Sequence, residues 1–266
     1  MTGGEALNLS IVLARLGWQV RLNGNSLGDS PEYRRLTEFI RNCGIDDRNL
    51  TVKSGFSGVH EIVFSDRETR TIFGNYEHLL SGEQTWNTPQ KSDIADARIV
   101  CVDPPFGEES ALVATLAEDL GVPFVSVDCP YDDRLSTLAA AVIVSGEFRD
   151  RAYPQAALPA LTAEYQARSR GLVILTHGER DLLYGRFGET ARTMRPPPVT
   201  AVDTAGAGDS FRAGVIYGFL RGWNDTRTVE LTSWLAAMVC ERFPGVLESP
   251  SEDDVGSFME QRRTSE

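Results

Sequence analysis

Four short apolar runs set the rhythm of the chain. Residues 99–103, 122–128, 141–145 and 172–176 are each nearly continuous in apolar side chains and each ends in a polar one: Asp103, Asp128, Ser145 and Thr176. Runs of this length, rich in β-branched residues, predict buried parallel strands. Between them, residues 108–120 and 159–170 have helical patterns closed by Gly121 and Gly171. This alternation predicts an α/β fold, a central and mostly parallel sheet flanked by helices on both faces. Ligands of such sheets bind beyond the carboxyl ends of the strands. Asp, Ser and Thr also start turns, so each polar strand end keeps two readings. The edge as a whole is the stronger candidate.

Residues 51–76 break the alternation. Glu61-Ile62-Val63-Phe64 and Thr71-Ile72-Phe73 predict two short antiparallel strands, with Ser65-Asp66-Arg67-Glu68 as the turn. The chain therefore divides into an α/β core, residues 1–50 and 77–266, and a β insertion that serves as a lid over the sheet edge or as an oligomer contact. The polar tail beyond Ser257 is expected to fray.

Composition narrows the classes. With 266 residues, 41% hydrophobic and 24% charged, the chain can bury a sizeable core and is neither disordered nor fibrous. No apolar run reaches the ~18–20 residues of a membrane span, and the N-terminal residues lack a signal-peptide pattern. Cys43, Cys101, Cys129 and Cys240 are scattered, which argues against a disulfide scaffold or zinc ribbon and for the cytoplasm. A net charge of −12 argues against a nucleic-acid binder. An anionic ligand would have to be held by local dipoles or arginines.

The chemistry concentrates in Asp203-Thr204-Ala205-Gly206-Ala207-Gly208-Asp209-Ser210-Phe211. The apolar positions Phe211, Val215, Ile216, Phe219 and Leu220 then follow at helical spacing. A loop of small residues opening a helix lets backbone N–H groups approach an anion, and the helix dipole adds positive potential there. Asp209 is a poor neighbour for an anion, but a good base for a hydroxyl that attacks a phosphoryl group. A Rossmann fingerprint would need glycine where Phe211 stands, and neither Lys53 nor Lys91 follows a glycine as a P-loop requires. The bland alternative makes Asp209 a helix N-cap and the glycines a turn.

These residues resemble the signature of the ribokinase/PfkB sugar kinase family, D-T-x-G-A-G-D-x-F. Three further segments agree: Gly3-Gly4-Glu5-Ala6-Leu7-Asn8 with Leu13-Ala14-Arg15-Leu16-Gly17, Gly24 through Gly28-Asp29, and Thr176-His177-Gly178-Glu179. Together they span essentially the whole chain. The resemblance implies a ribokinase-like fold with a small β lid. It also implies ATP-dependent phosphorylation of a sugar or sugar-like hydroxyl, with ATP and Mg²⁺ as cosubstrates. Asp209 would be the base, and the backbone of Ala205, Gly206, Ala207 and Gly208 the anion hole. Gly4 and Asn8 would meet the sugar hydroxyls. Thr176 and Gly178 would lie against the nucleotide, with Gly245 on its adenine side. A homodimer through the lid is a further arrangement known in the family.

Two departures qualify the resemblance. Family members carry a strand and a sugar-gripping Asp before the diglycine, where this sequence starts, which predicts a weak or inactive kinase. The family's N-x-x-E motif is met by Gly146-Glu147-Phe148-Arg149, so Glu147 alone remains to hold a metal-bound water. Two other functions stay open: a nucleoside kinase of the same fold, and a catalytically silent sugar- or nucleotide-binding member. His60 and the tryptophans Trp86, Trp223 and Trp234 read as packing or surface residues, His177 as a neighbour of the nucleotide loop, Cys240 as core, and Arg212 as part of a solvated helix face.

Overall fold

The computed structural model describes residues 4–65 and 70–263. The strands are β1 (Arg21–Asn23), β2 (Asp46–Asn49), β3 (Glu61–Ser65), β4 (Arg70–Gly74), β5 (Val100–Val102), β6 (Phe124–Val127), β7 (Ala141–Val144), β8 (Leu172–Leu175), β9 (Leu182–Gly185) and β10 (Arg192–Met194). The helices are α1 (Glu5–Arg15), α2 (Pro31–Asn42), α3 (Tyr76–Ser81), α4 (Lys91–Ile94), α5 (Glu108–Leu120), α6 (Arg134–Thr137), α7 (Gly146–Ala152), α8 (Leu158–Gln166), α9 (Ala207–Leu220), α10 (Asp225–Cys240) and α11 (Glu252–Arg263), with a 3₁₀ turn at Pro104–Phe106.

The four apolar runs become β5 to β8, paired in parallel in the order β8-β7-β6-β5. Strand alternation assigns the two faces. Val125, Ala141, Ile143, Leu172 and Ile174 pack in one cluster with side chains of α1, α9 and α10, whereas Val142, Val144, Val173 and Leu175 pack against Phe148, Leu161 and Tyr165. The second cluster lies under α7 and α8; Val102 and Phe124 complete that side against Ala114 and Ala117 of α5. The sheet is thus buried on both faces, the condition under which parallel strands are stable.

Helix α9 is buried on every side from Asp209 to Gly218. It crosses α10 closely because Gly214 and Gly218 face Thr232 and Thr228: a Cβ at either glycine would lie 2.6 or 2.4 Å from the threonine hydroxyl oxygen. The Thr232 hydroxyl also donates to the Phe211 carbonyl, tying α10 to α9 two residues from Asp209.

Several expectations are corrected. The helix read over residues 159–170 ends at Gln166. Gly171 is needed for a different reason: a Cβ there would meet the Ala140 carbonyl at 2.2 Å as the chain enters β8. Two antiparallel strands, β9 and β10, extend the sheet beyond β8. β1 and β2 form a separate parallel pair, and β5 ends the main sheet. A cleft of about 3280 Å³ is lined by residues of both β1 and β5 and reaches Asp209. The segment after Ser257 continues α11 as helix to Arg263, with Met259 in the core. Of the hairpin read over 51–76, β3 and β4 form with Ile62 opposite Phe73; Asp66, Arg67 and Glu68 of its turn lie outside the described residues, as does Gly3. No helix among the described residues is long and apolar enough to cross a membrane.

Candidate active site

The loop before α9 folds as its small residues suggest, but Asp209 is not its cap. Asp203 accepts a hydrogen bond from the Ala205 N–H at 2.9 Å and turns the chain. Gly206 is the N-cap residue at φ 81°, so Asp209 falls in the first helical turn. That overturns the N-cap reading. The Ala207 N–H donates to the Thr204 carbonyl, and the Gly208 and Asp209 N–H groups remain as donors at a positive helix end. A Cβ on Gly208 would meet nothing within 4 Å, so the backbone there is open to the cleft.

Asp209 is buried and held at both oxygens. Asn8 of α1 donates its Nδ2–H to Oδ2 at 2.8 Å, across 201 residues of sequence. Arg212, one turn further along α9, donates from Nη2 to Oδ1 at 2.7 Å. Each oxygen keeps a second lone pair that can accept an incoming hydroxyl proton.

Arg212 is not on a solvated face. It is 3% exposed, and besides Asp209 its guanidinium donates to Asp103 at the end of β5 and to Glu5 of α1, the latter at 3.5 Å. Burial works against its charge, and the carboxylates of Asp103, Asp209 and Glu5 outweigh that, holding it well above its ordinary value. Glu5 answers in the opposite sense. Its side chain is still 63% exposed; partial loss of water within the cleft, then the negative neighbours Asp103, Asp209 and Asp128, push its carboxyl up to about 7 against the pull of Arg212.

The polar strand ends separate into two groups. Asp103, Asp128 and Ser145 line the cleft. Asp128, in a left-handed conformation at φ 50°, accepts the Ser145 N–H at 2.7 Å and its hydroxyl at 2.9 Å; burial still pushes its carboxyl upward. Ser145 in turn caps α7 by accepting the Phe148 N–H, so capping and cleft lining coexist there. Thr176 follows β8 beside the start of α7 and, with Gly178, is not among the residues lining the cleft. Between them, His177 lies 3.4 Å from Arg149, and partial burial with Arg149 and Arg180 pushes its imidazole below the ordinary value.

Of the residues singled out from sequence, Gly4, Asn8, Glu147, Ala205, Gly206, Gly208, Asp209 and Gly245 line one cleft. Ala207 occupies the first helical position just behind it. Arg149, which stands where the resemblance calls for an acid, is paired with Asp150. The Glu5–Asp103–Arg212 cluster was missed. Its one sequence signal was an arginine inside a helix that is otherwise apolar nearly all round, Phe211 to Leu220.

With this geometry in place, the comparisons with known proteins are specific. The sequence pattern of the pfkB family carbohydrate kinase matches residues 1–251. The fructoselysine 6-kinase of Escherichia coli K12 is 26% identical over 250 residues, covering 86% of this chain and 84% of its own. The 5-dehydro-2-deoxygluconokinase of Geobacillus kaustophilus is 31% identical over 294 residues, covering 98% of this chain and 85% of its own. Among solved structures, Arabidopsis thaliana ribokinase complexed with ribose and ATP superposes with a TM-score of 0.80 at 17% identity, over 96% of this chain and 86% of that one; at that identity the likeness shows the ribokinase-like fold.

Proposed function

The chain belongs to the pfkB family of carbohydrate kinases, and from that premise we propose that it transfers the terminal phosphoryl group of ATP to a sugar or sugar-like hydroxyl with Asp209 as the general base. The observation that carries this reading is the position of Asp209 in the first turn of α9. Its carboxylate is fixed by Asn8 and Arg212, one residue from the open backbone of Gly208. Base and anion site are thereby adjacent, as an in-line transfer needs. Asp209 takes the hydroxyl proton, the acceptor oxygen bonds to the phosphorus, and ADP leaves. The N–H groups at the start of α9 stabilise the charge that develops on the transferred group. Gly4 and Asn8 stand on the acceptor side; Thr176, Gly178 and Gly245 remain the candidates for the nucleotide side.

Mg²⁺ fits this cleft through phosphate oxygens and water rather than a protein cage. Among the described residues no three His, Cys, Asp or Glu side chains are arranged to hold a metal ion between them, and Glu147 lines the cleft as an exposed carboxylate in the first turn of α7. Glu147 would hold a water of the ion, which when bound neutralises phosphate charge.

A coupled ADP-release assay with ATP, Mg²⁺ and a panel of ketoses, aldoses, nucleosides and aldonic acids tests the reading. Acceptor-dependent turnover is expected; its absence with every acceptor moves the reading to a silent binding member of the family. The panel carries a second expectation. Near Asp209 the cleft is lined by Glu5, Asp103 and Asp128, while Arg212 is buried and already engaged. A carboxylated acceptor should therefore have kcat/KM at least about tenfold below that of the matching neutral sugar, the size of one partly screened charge repulsion. A preferred aldonate would reverse this.

Residues 51–76 are read as the lid, since His60, Glu61 and Gly74 line the cleft. The hairpin also exposes Phe64 and Phe73 by 63% and 59%, in edge-to-face contact at 5.8 Å, which supports a homodimer through this element. Light scattering is expected to give a dimer for the natural chain and a monomer for Phe64→Glu/Phe73→Glu. A monomeric natural chain removes the dimer from the proposal.

A further inference from the structure

Three carboxylates from three elements converge on one buried guanidinium. Glu5 begins α1, Asp103 ends β5 and Asp209 lies in α9; Arg212 reaches all three from within α9. Asp128 at the end of β6 adds a fourth negative group within electrostatic range of Arg212, and the Cys101 thiol of β5, pushed up to about 12 by burial, faces the cluster as a neutral group. A guanidinium has five donors in a planar fork and can serve several carboxylates at once. One positive charge against this many acids leaves the cluster short of cations, which agrees with the raised Glu5 carboxyl.

A stabilising ion pair alone does not explain the arrangement. Buried charge clusters are often no better for stability than apolar packing, and α9 is otherwise packed by apolar and small side chains. What Arg212 does specifically is fix Oδ1 of Asp209 while Asn8 fixes Oδ2, and offset Glu5 and Asp103 at the point where a base must carry its negative charge.

Resting on Asp209 as the base, we infer that Arg212 is a positioning residue for catalysis: it orients the Asp209 carboxylate and shields it from Glu5 and Asp103. It acts through Asp209 and does not line the cleft itself.

The test compares Arg212→Met, Arg212→Lys and Arg212→Met/Asp103→Asn with the natural chain, each checked for folding by thermal melting, in the ADP-release assay from pH 5.5 to 9. Arg212→Met should lower kcat about 10²-fold at neutral pH, with KM for ATP changed less than about threefold. The acid limb of its rate profile should move up by about one pH unit or more, because uncompensated carboxylates favour protonation of their neighbours. Arg212→Lys keeps the charge and should leave the limb in place while losing part of kcat. Adding Asp103→Asn to Arg212→Met removes one negative charge and should bring the limb back toward its natural position. A merely structural arginine would lower activity by the same factor at every pH, and Asp103→Asn would not move the profile; that pattern overturns the inference. If Arg212→Met does not fold, the lysine variant and the charge-balanced double variant decide it: an acid limb displaced in Arg212→Lys, or one displaced by a unit in the folded double variant, overturns it equally. The assignment of Asp209 fails separately, if Asp209→Asn in the natural background retains more than about a tenth of the natural kcat.

Discussion

Asp209→Asn should reduce acceptor-dependent turnover about 10²–10⁴-fold, the usual range for loss of a general base, while the protein stays folded and still binds ATP. Asparagine has the shape of aspartate but cannot take the hydroxyl proton. The surroundings can absorb the change. Arg212 keeps Asp103 and Glu5 as partners, and the amide of Asn8 can rotate to present its carbonyl to the new NH₂ group. One carboxylate fewer also relieves a cluster that is short of cations, so the melting temperature should not fall appreciably. KM for ATP should be nearly unchanged, because the anion site is backbone. Steady-state kinetics with ATP titration checks both parts. More than a tenth of the natural kcat in the variant would mean that the proton leaves by another route.

The second large effect belongs to Gly206, and Gly208 sharpens it by contrast. Gly206→Ala places a Cβ 2.2 Å from Val246 Cγ2 on a residue at φ 81°. The left-handed conformation costs about 1–2 kcal/mol for a non-glycine residue and the overlap about 1–3 kcal/mol more. A total of about 2–5 kcal/mol corresponds to a fall in melting temperature of roughly 4–9 °C for a chain of this size. Turnover should drop about 10²-fold as well, since the N–H groups at the start of α9 move with the loop. Adding Val246→Ala should recover the steric part of the stability and leave the backbone part lost. Gly208→Ala should behave oppositely. That residue is helical and its Cβ would project into open space, so stability should hold or rise by up to about 1 kcal/mol. The methyl group would intrude on the anion site, and KM for ATP should rise. Differential scanning calorimetry and ATP titration of the two alanine variants separate these outcomes; equal melting temperatures would contradict the steric account of Gly206.

The two glycines differ by two positions in sequence and look alike there. Their roles separate only when Val246, forty residues further on, is placed against one of them. The same holds elsewhere in the molecule. Strands β5 to β8 were readable because a strand buried on both faces must be apolar along its whole length, a local property. Helix α5 was readable to its last residue for the same reason, with Gly121 as its left-handed stop. Gly171 looked identical as a helix stop and is not one; it clears the Ala139 and Ala140 carbonyls. Strands β1 and β2, Arg-Leu-Asn and Asp-Asp-Arg-Asn, have almost no apolar pattern, because they pair away from the main sheet.

The loop from Asp203 to Phe211 carries its pattern in adjacent residues, so the proposed anion site, the proposed base Asp209 and the family resemblance could be read along the chain. Such features depend on backbone freedom and spacing, which neighbours in sequence set among themselves. The electrostatic environment of Asp209 could not be read this way. Asn8 lies 201 residues from Asp209, and Arg212 lies 109 residues from Asp103 and 207 from Glu5. Coulomb interactions and desolvation depend on distance in space and on burial, and neither exists until α1, β5 and α9 are packed together. Folding therefore turned an arginine that reads as a solvated helix residue into the buried partner of Asp209.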